Sequence, residues 1–206
     1  MEVYTTENEQ VDALRRFLAE NGKALVVGVV LGVGALVGWR FWQSHQNDSV
    51  MAASSSYQQV TEQLAEGKAD AITATEKFTA ENKNTYGALA SLELARHYVD
   101  QKDFAKAAQQ LVQAQSQTKD ADLLAVVNLR LARVQLQENK ADDALKTLDA
   151  IKLEGWASQA AEVRGDILVS KGDNQAARDA YNKGLSSNPS QAQQALLRMK
   201  LNNLSS

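Results

Sequence analysis

The sequence predicts an all-α chain: a single transmembrane helix near the amino terminus, then an α-solenoid of stacked helix pairs. Three observations lead there. Residues 24–42 read ALVVGVVLGVGALVGWRFW, with Arg40 as the only charge. Beyond them, short turn signals and one proline separate segments of helical length. Those segments repeat their order of small and large residues at a nearly constant interval.

As a helix rising about 1.5 Å per residue, 24–42 extends roughly 28 Å, close to the roughly 30 Å hydrocarbon thickness of a bilayer. A soluble core helix shows a polar stripe, and none can be drawn here. Lys and Arg near a span set its orientation. Arg15, Arg16 and Lys23 precede it, whereas only Arg40 stands at its far edge and the next cation is Lys68. The bias predicts a cytoplasmic segment 1–23, a span 24–42 and a translocated domain 43–206. Arg40 can snorkel to the interface beside Trp39 and Trp42. A cleaved signal peptide fits less well. The apolar run is longer than a signal core, acid-rich residues precede it, and the nearest small-residue cleavage pattern, Val50-Met51-Ala52, lies well beyond it. Within the span, Gly28 with Gly32 and Gly34 with Gly38 form two GxxxG pairs. They either admit a close partner helix or reflect the ordinary glycine content of membrane helices. Before the span, Val11, Leu14 and Leu18 recur at helical spacing and Asn21-Gly22 supplies a stop signal. That short helix either docks a partner or continues into the membrane helix.

The chain has no cysteine, which excludes disulfides, thiol nucleophiles and thiolate metal sites. Beyond residue 42 stand 18 Lys and Arg against 20 Asp and Glu, which is no nucleic-acid footprint. Helices are expected over roughly 49–66, 69–81, 85–101, 103–116, 120–138, 140–151, 156–171, 173–186 and 190–203. Gly67, Lys102-Asp103, Asn139-Lys140, Gly155 and Gly172 mark the turns. Short turns make successive helices antiparallel neighbours.

Three windows superimpose. The first holds Ala95, Tyr98, Asp103-Phe104, Ala107, Leu111 and Ala114. The second holds Ala132, Ala144, Leu148 and Ile151. The third holds Gly165, Leu168, Gly172-Asp173, Ala177, Tyr181, Gly184 and Pro189. Ala95, Ala132 and Gly165 lie 37 and 33 residues apart, bracketing the roughly 34-residue tetratricopeptide period. Small residues there, and at Ala107, Ala144 and Ala177, let paired helices press together, and Tyr98, Leu111, Leu148 and Tyr181 fill the remaining space. Pro189 ends a unit because it lacks an amide hydrogen. Residues 49–81 fit the pattern only loosely. The last helix should shield one face and turn Gln191, Gln193, Gln194, Lys200 and Asn202 to water.

Nothing argues for catalysis or for a cofactor. His45 and His97 have no ligand spacing around them, and neither a nucleophile elbow nor a phosphate loop is present. Stacked pairs instead offer a groove lined by their first helices. The register places Leu92, Glu93 and Arg96 there from the first unit, Leu129, Arg130 and Arg133 from the second, and Glu162, Val163 and Asp166 from the third.

Several stretches carry a resemblance. They are ENGKAL (Glu20 to Leu25), GWRFW (Gly38 to Trp42), ENKNTYGALASLELA (Glu81 to Ala95), NLRLARVQ (Asn128 to Gln135), ALKTLD (Ala144 to Asp149) and EGW (Glu154 to Trp156). Together they resemble the YfgM family of ancillary subunits of the bacterial Sec translocon. The resemblance implies a single-pass inner-membrane protein with a periplasmic tetratricopeptide-like domain. Its implied partners are the SecYEG translocon, a membrane-anchored parvulin-like chaperone of the PpiD type, and translocating client proteins passed to periplasmic chaperones. It also implies restraint of a cytosolic response regulator of envelope stress. The carboxylate clamp of co-chaperone repeats needs Lys and Asn where Leu92, Arg96, Leu129 and Arg133 stand, so recognition of an EEVD-like terminus does not follow. Two readings result: an adaptor working through 43–206, or a transmembrane regulator working through 1–23.

Overall fold

The computed structural model describes residues 7–204. The first six residues of the segment 1–23 and the last two of the domain 43–206 lie outside the described residues. Every regular element among the described residues is helical, in the order α1 (Glu7–Ala65), α2 (Ala71–Glu81), α3 (Thr85–Asp100), α4 (Phe104–Gln117), α5 (Ala121–Gln137), α6 (Ala141–Asp149), a 3-10 turn (Glu154–Trp156), α7 (Ala157–Ser170), α8 (Asn174–Ser186) and α9 (Gln191–Asn203). Residues to Ala52 form one compact unit and those from Ala53 another.

In the first unit, Val26, Leu31, Leu36 and Phe41 are all more than half exposed. One helix here is long and apolar enough to cross a membrane. The stop expected at Asn21-Gly22 does not occur, and α1 runs through it. Asn21 Nδ2 donates to the Phe17 carbonyl at 3.1 Å instead of ending the helix. A glycine within a helix costs about 1 kcal/mol, whereas each backbone group left unpaired at an apolar phase costs several. Continuation is therefore the cheaper outcome.

The second unit repeats one motif. Each first helix ends in the same turn, with a residue of positive φ: Gly67 (68°), Lys102 (61°), Asn139 (62°) and Gly172 (78°). The amide of the following residue reaches back five positions, from Lys68 to Gln63, Asp103 to Tyr98, Lys140 to Gln135 and Asp173 to Leu168, at 2.8–3.2 Å. This bond satisfies a carbonyl that the helix end would orphan. The turns extend the register one unit further toward the amino terminus than the side chains do. The end of α1 with α2 is a fourth pair, before α3/α4, α5/α6 and α7/α8.

The small positions behave as expected. Ala107, Ala144 and Ala177 are each 0% exposed. At Gly165 a Cβ would stand 2.1 Å from the Tyr181 ring, so α7 and α8 approach as only glycine permits. Tyr98, Leu111, Leu148 and Tyr181 are buried between pairs. Gln117, also buried, joins three helices: its amide nitrogen donates to the Thr79 carbonyl of α2, and its oxygen accepts from Ser91 of α3 at 3.2 Å. Asp103 and Asp173 cap α4 and α8 by accepting from the amides of Lys106 and Ala176. The equivalent Lys140 makes no cap.

Candidate partner-binding face

The first helices α3, α5, α7 and α9 lie in sequence, and one register position recurs on three of them: Leu92, Leu129 and Glu162. The expected groove lining is corrected here. Leu92 and Leu129 are 5% and 4% exposed, and Val163 is 1% exposed, so all three belong to the core. Leu92 packs in one cluster with Val127, Leu131 and Val134 of α5, and Leu129 packs in another with Val163 and Ile167 of α7. The position faces the next first helix, not solvent, and that is the physical reason.

In the third unit the same position is Glu162, and the next first helix is α9. Lys200 of α9 donates to Glu162 at 2.6 Å and to both oxygens of Asp166 at 2.6–2.7 Å, while Gln193 donates to Glu162 at 2.9 Å. Tyr181 adds a hydroxyl bond to Asp166 at 2.8 Å. Burial works to raise the Glu162 carboxyl, but the bonds from Lys200 and Gln193 and the charges of Lys200 and Arg133 outweigh it and hold the group below its ordinary range. Gln193 and Lys200, expected on the solvent face of the last helix, thus point inward. Glu162 and Asp166 are consumed by the chain itself.

Three members of the expected lining do converge. Arg96, Arg130 and Arg133 surround a cavity of about 240 Å³ whose floor is Ala95 and Val99 of α3, Leu111 of α4 and Val134 of α5. Arg96 stands 3.8 Å from Glu93, with side chains 72% and 41% exposed, and Arg133 reaches Glu162 only at 3.9 Å. Arg130 is exposed and has no hydrogen-bond or ion-pair partner among the described residues. A larger cleft of about 720 Å³, between the start of α7 and the α8–α9 loop, has Glu154 as the sole ionisable residue in its lining. It lacks the convergence of charge that the smaller cavity has. The apolar floor escaped the sequence reading. Its signal is the placing of Val99 three residues after Arg96 and Val134 four after Arg130, which helical spacing puts on one face.

Of the remaining expected residues, Gly28, Gly32, Gly34 and Gly38 lie on α1 with nothing within 4 Å of a built Cβ. Among the described residues no group of three or more His, Asp or Glu is placed to hold a metal ion. His97 faces Gln101 at 2.9 Å.

Comparison with known proteins places this scaffold. Residues 15–206 match a family described as tetratricopeptide repeat-like domain. A protein of Escherichia coli (strain K12) named ancillary SecYEG translocon subunit is 59% identical over 205 residues, covering 100% of both chains. A Haemophilus influenzae protein of the same name is 37% identical, covering 98% of this chain and 99% of its own. Among solved structures, that of a MamA protein superimposes with a TM-score of 0.54 at 21% identity, covering 74% of this chain and 86% of its own, a likeness of fold.

Proposed function

The chain belongs to the family of ancillary SecYEG translocon subunits, and from this premise we propose that it is a non-enzymatic, membrane-anchored adaptor at the SecYEG channel. In this reading segment 1–23 is cytoplasmic, α1 crosses the inner membrane once through 24–42, and the repeats lie in the periplasm. There they receive emerging client proteins and pass them to periplasmic chaperones, among them a membrane-anchored parvulin-like chaperone of the PpiD type. The observation that carries the reading is the arginine-rimmed face of α3 and α5, a binding surface with no catalytic constellation, in the same chain as an apolar span. The pair Gly28 and Gly32, or the pair Gly34 and Gly38, lets a neighbouring membrane helix approach closely. The Lys and Arg bias across the span supports the orientation.

Photo-crosslinkers placed at residues 43–60 in intact membranes test this. SecYEG and translocating chains should be captured together, and capture of neither would remove the adaptor reading. A second reading rests on Val11, Leu14, Phe17 and Leu18, which are each about half exposed on α1 before the span. Such a face fits a cytosolic partner, including a response regulator. Replacing residues 1–23 with an unrelated basic tail should leave client transfer intact and abolish only regulation.

A further inference from the structure

We propose that the cavity between α3 and α5 takes an internal acidic segment bearing one large apolar side chain, the apolar group on the floor and the carboxylates on Arg96, Arg130 and Arg133. The inference deepens the adaptor reading and rests on it, since it specifies what the face would hold.

Chemistry of the lining decides the class of ligand. The floor, made of Ala95, Val99, Leu111 and Val134, offers no polar side chain to bind and rewards only apolar contact. The rim offers three guanidiniums, whose planar forks match carboxylates in pairs of parallel hydrogen bonds. Arg130 is unpaired among the described residues, while Arg96 and Arg133 hold their acids at the outer limit of ion pairing. Arg96 and Glu93 are both exposed, and an exposed pair of that length is weak and exchanges readily for a better-placed carboxylate, while the buried Glu162 beside Arg133 is already held by Lys200.

The molecule also supplies an internal precedent. Where α7 meets α9, the chain docks one of its own helices by placing Lys200 between Glu162 and Asp166, with Leu197 buried beside it. An apolar anchor flanked by complementary charge is thus how this scaffold closes the face of a first helix. At α3 and α5 the sign is reversed, and among the described residues only Glu93 and Glu162 approach these arginines, at 3.8 and 3.9 Å. The cations are spread over two helices, which suits carboxylates along a segment better than the single carboxylate of a chain terminus.

The test is fluorescence anisotropy on the full chain in non-ionic detergent. The probe is a short, labelled, carboxyl-amidated peptide of Asp and Glu around one Leu. Saturable binding is expected. It should weaken at least about tenfold when the Leu is changed to Ser, and again when the acids are changed to Lys. Arg96→Glu with Arg130→Glu should cost about tenfold or more, and Val99→Ser several-fold, with the helical circular dichroism unchanged. Should the double charge reversal fail to fold, Arg130→Gln alone is expected to weaken the peptide several-fold. Three outcomes would overturn the inference: equal affinity for the folded arginine variants, indifference to the Leu, or complete displacement of the peptide by anionic phospholipid vesicles that themselves bind through the same arginines. Co-purification of SecYEG with the double variant is scored separately. Failure of SecYEG to co-purify with the wild-type chain would remove the adaptor reading, while the peptide titration alone decides the groove.

Discussion

The faces of α3/α5 and α7/α9 are built from the same register of the same repeat, yet one is open and the other closed. On α7 the recurring position is Glu162, and α9 answers it with Lys200 and Gln193. On α3 and α5 the position is leucine, which the following helix buries, and the neighbouring arginines are left on the rim. A single change of residue class therefore decides whether the face is closed by a helix or left with its arginines exposed. Buried charge is tolerated only when it is paired and hydrogen-bonded, so Glu162 demands a closing helix in a way that exposed arginines do not.

The comparison can be broken most severely through what the two faces share. Ala144→Glu would put an unpaired carboxylate into a site with 0% exposure in the second unit. A loss of about 3–5 kcal/mol is expected, and with it both faces, by chemical denaturation of the 53–206 unit within the intact chain. A denaturant midpoint equal to the parent's, with an unchanged slope, would refute the shared register.

Lys200→Glu separates the faces. It gathers three carboxylates at α9 and leaves Glu162 buried without its main partner, an expected loss of about 3 kcal/mol. Amides of α9 should exchange far faster with solvent while those of α3 and α5 keep their protection. Arg130→Glu, on the open face, should leave the unfolding midpoint almost unmoved.

Acid should discriminate more gently. Because the folded Glu162 carboxyl lies below its ordinary value, its stabilisation is complete above an unfolded pKa of about 4.3. That stabilisation is lost as pH falls through the depressed folded value. Hydrogen exchange between pH 7 and pH 3 should show α9 loosening, whereas the arginines of the open face keep their charge throughout that window.

The smallest expected effect sharpens the repeat itself. Lys102 occupies at φ 61° the place that glycine takes at 67 and 172. Lys102→Gly should relieve left-handed strain and raise stability by about 1 kcal/mol, measurable as a higher denaturant midpoint with an unchanged slope.

Much of this was legible in the residues. Ala95, Ala132 and Gly165 marked the repeat because small side chains at one interval have a packing meaning that survives without coordinates. The helix boundaries followed from Gly67, Lys102-Asp103, Asn139-Lys140, Gly155 and Gly172. Lys102-Asp103 marked its turn as well, but the positive φ of Lys102 was not legible, since lysine is not a residue that favours that region. Leu92 and Leu129 were assigned to the groove because, within one helix, a leucine facing a neighbour and a leucine facing a ligand look alike.

Local chemistry was enough to establish an apolar span, a run of helix pairs and the interval between them, because periodicity and turn residues act over a few positions of chain. Which first-helix residues stay free was a tertiary outcome. It depended on what the next helix, some 35 residues on, carried at the matching position: apolar side chains opposite Leu92 and Leu129, Lys200 opposite Glu162. Burial is a property of the pair, and neither member states it alone.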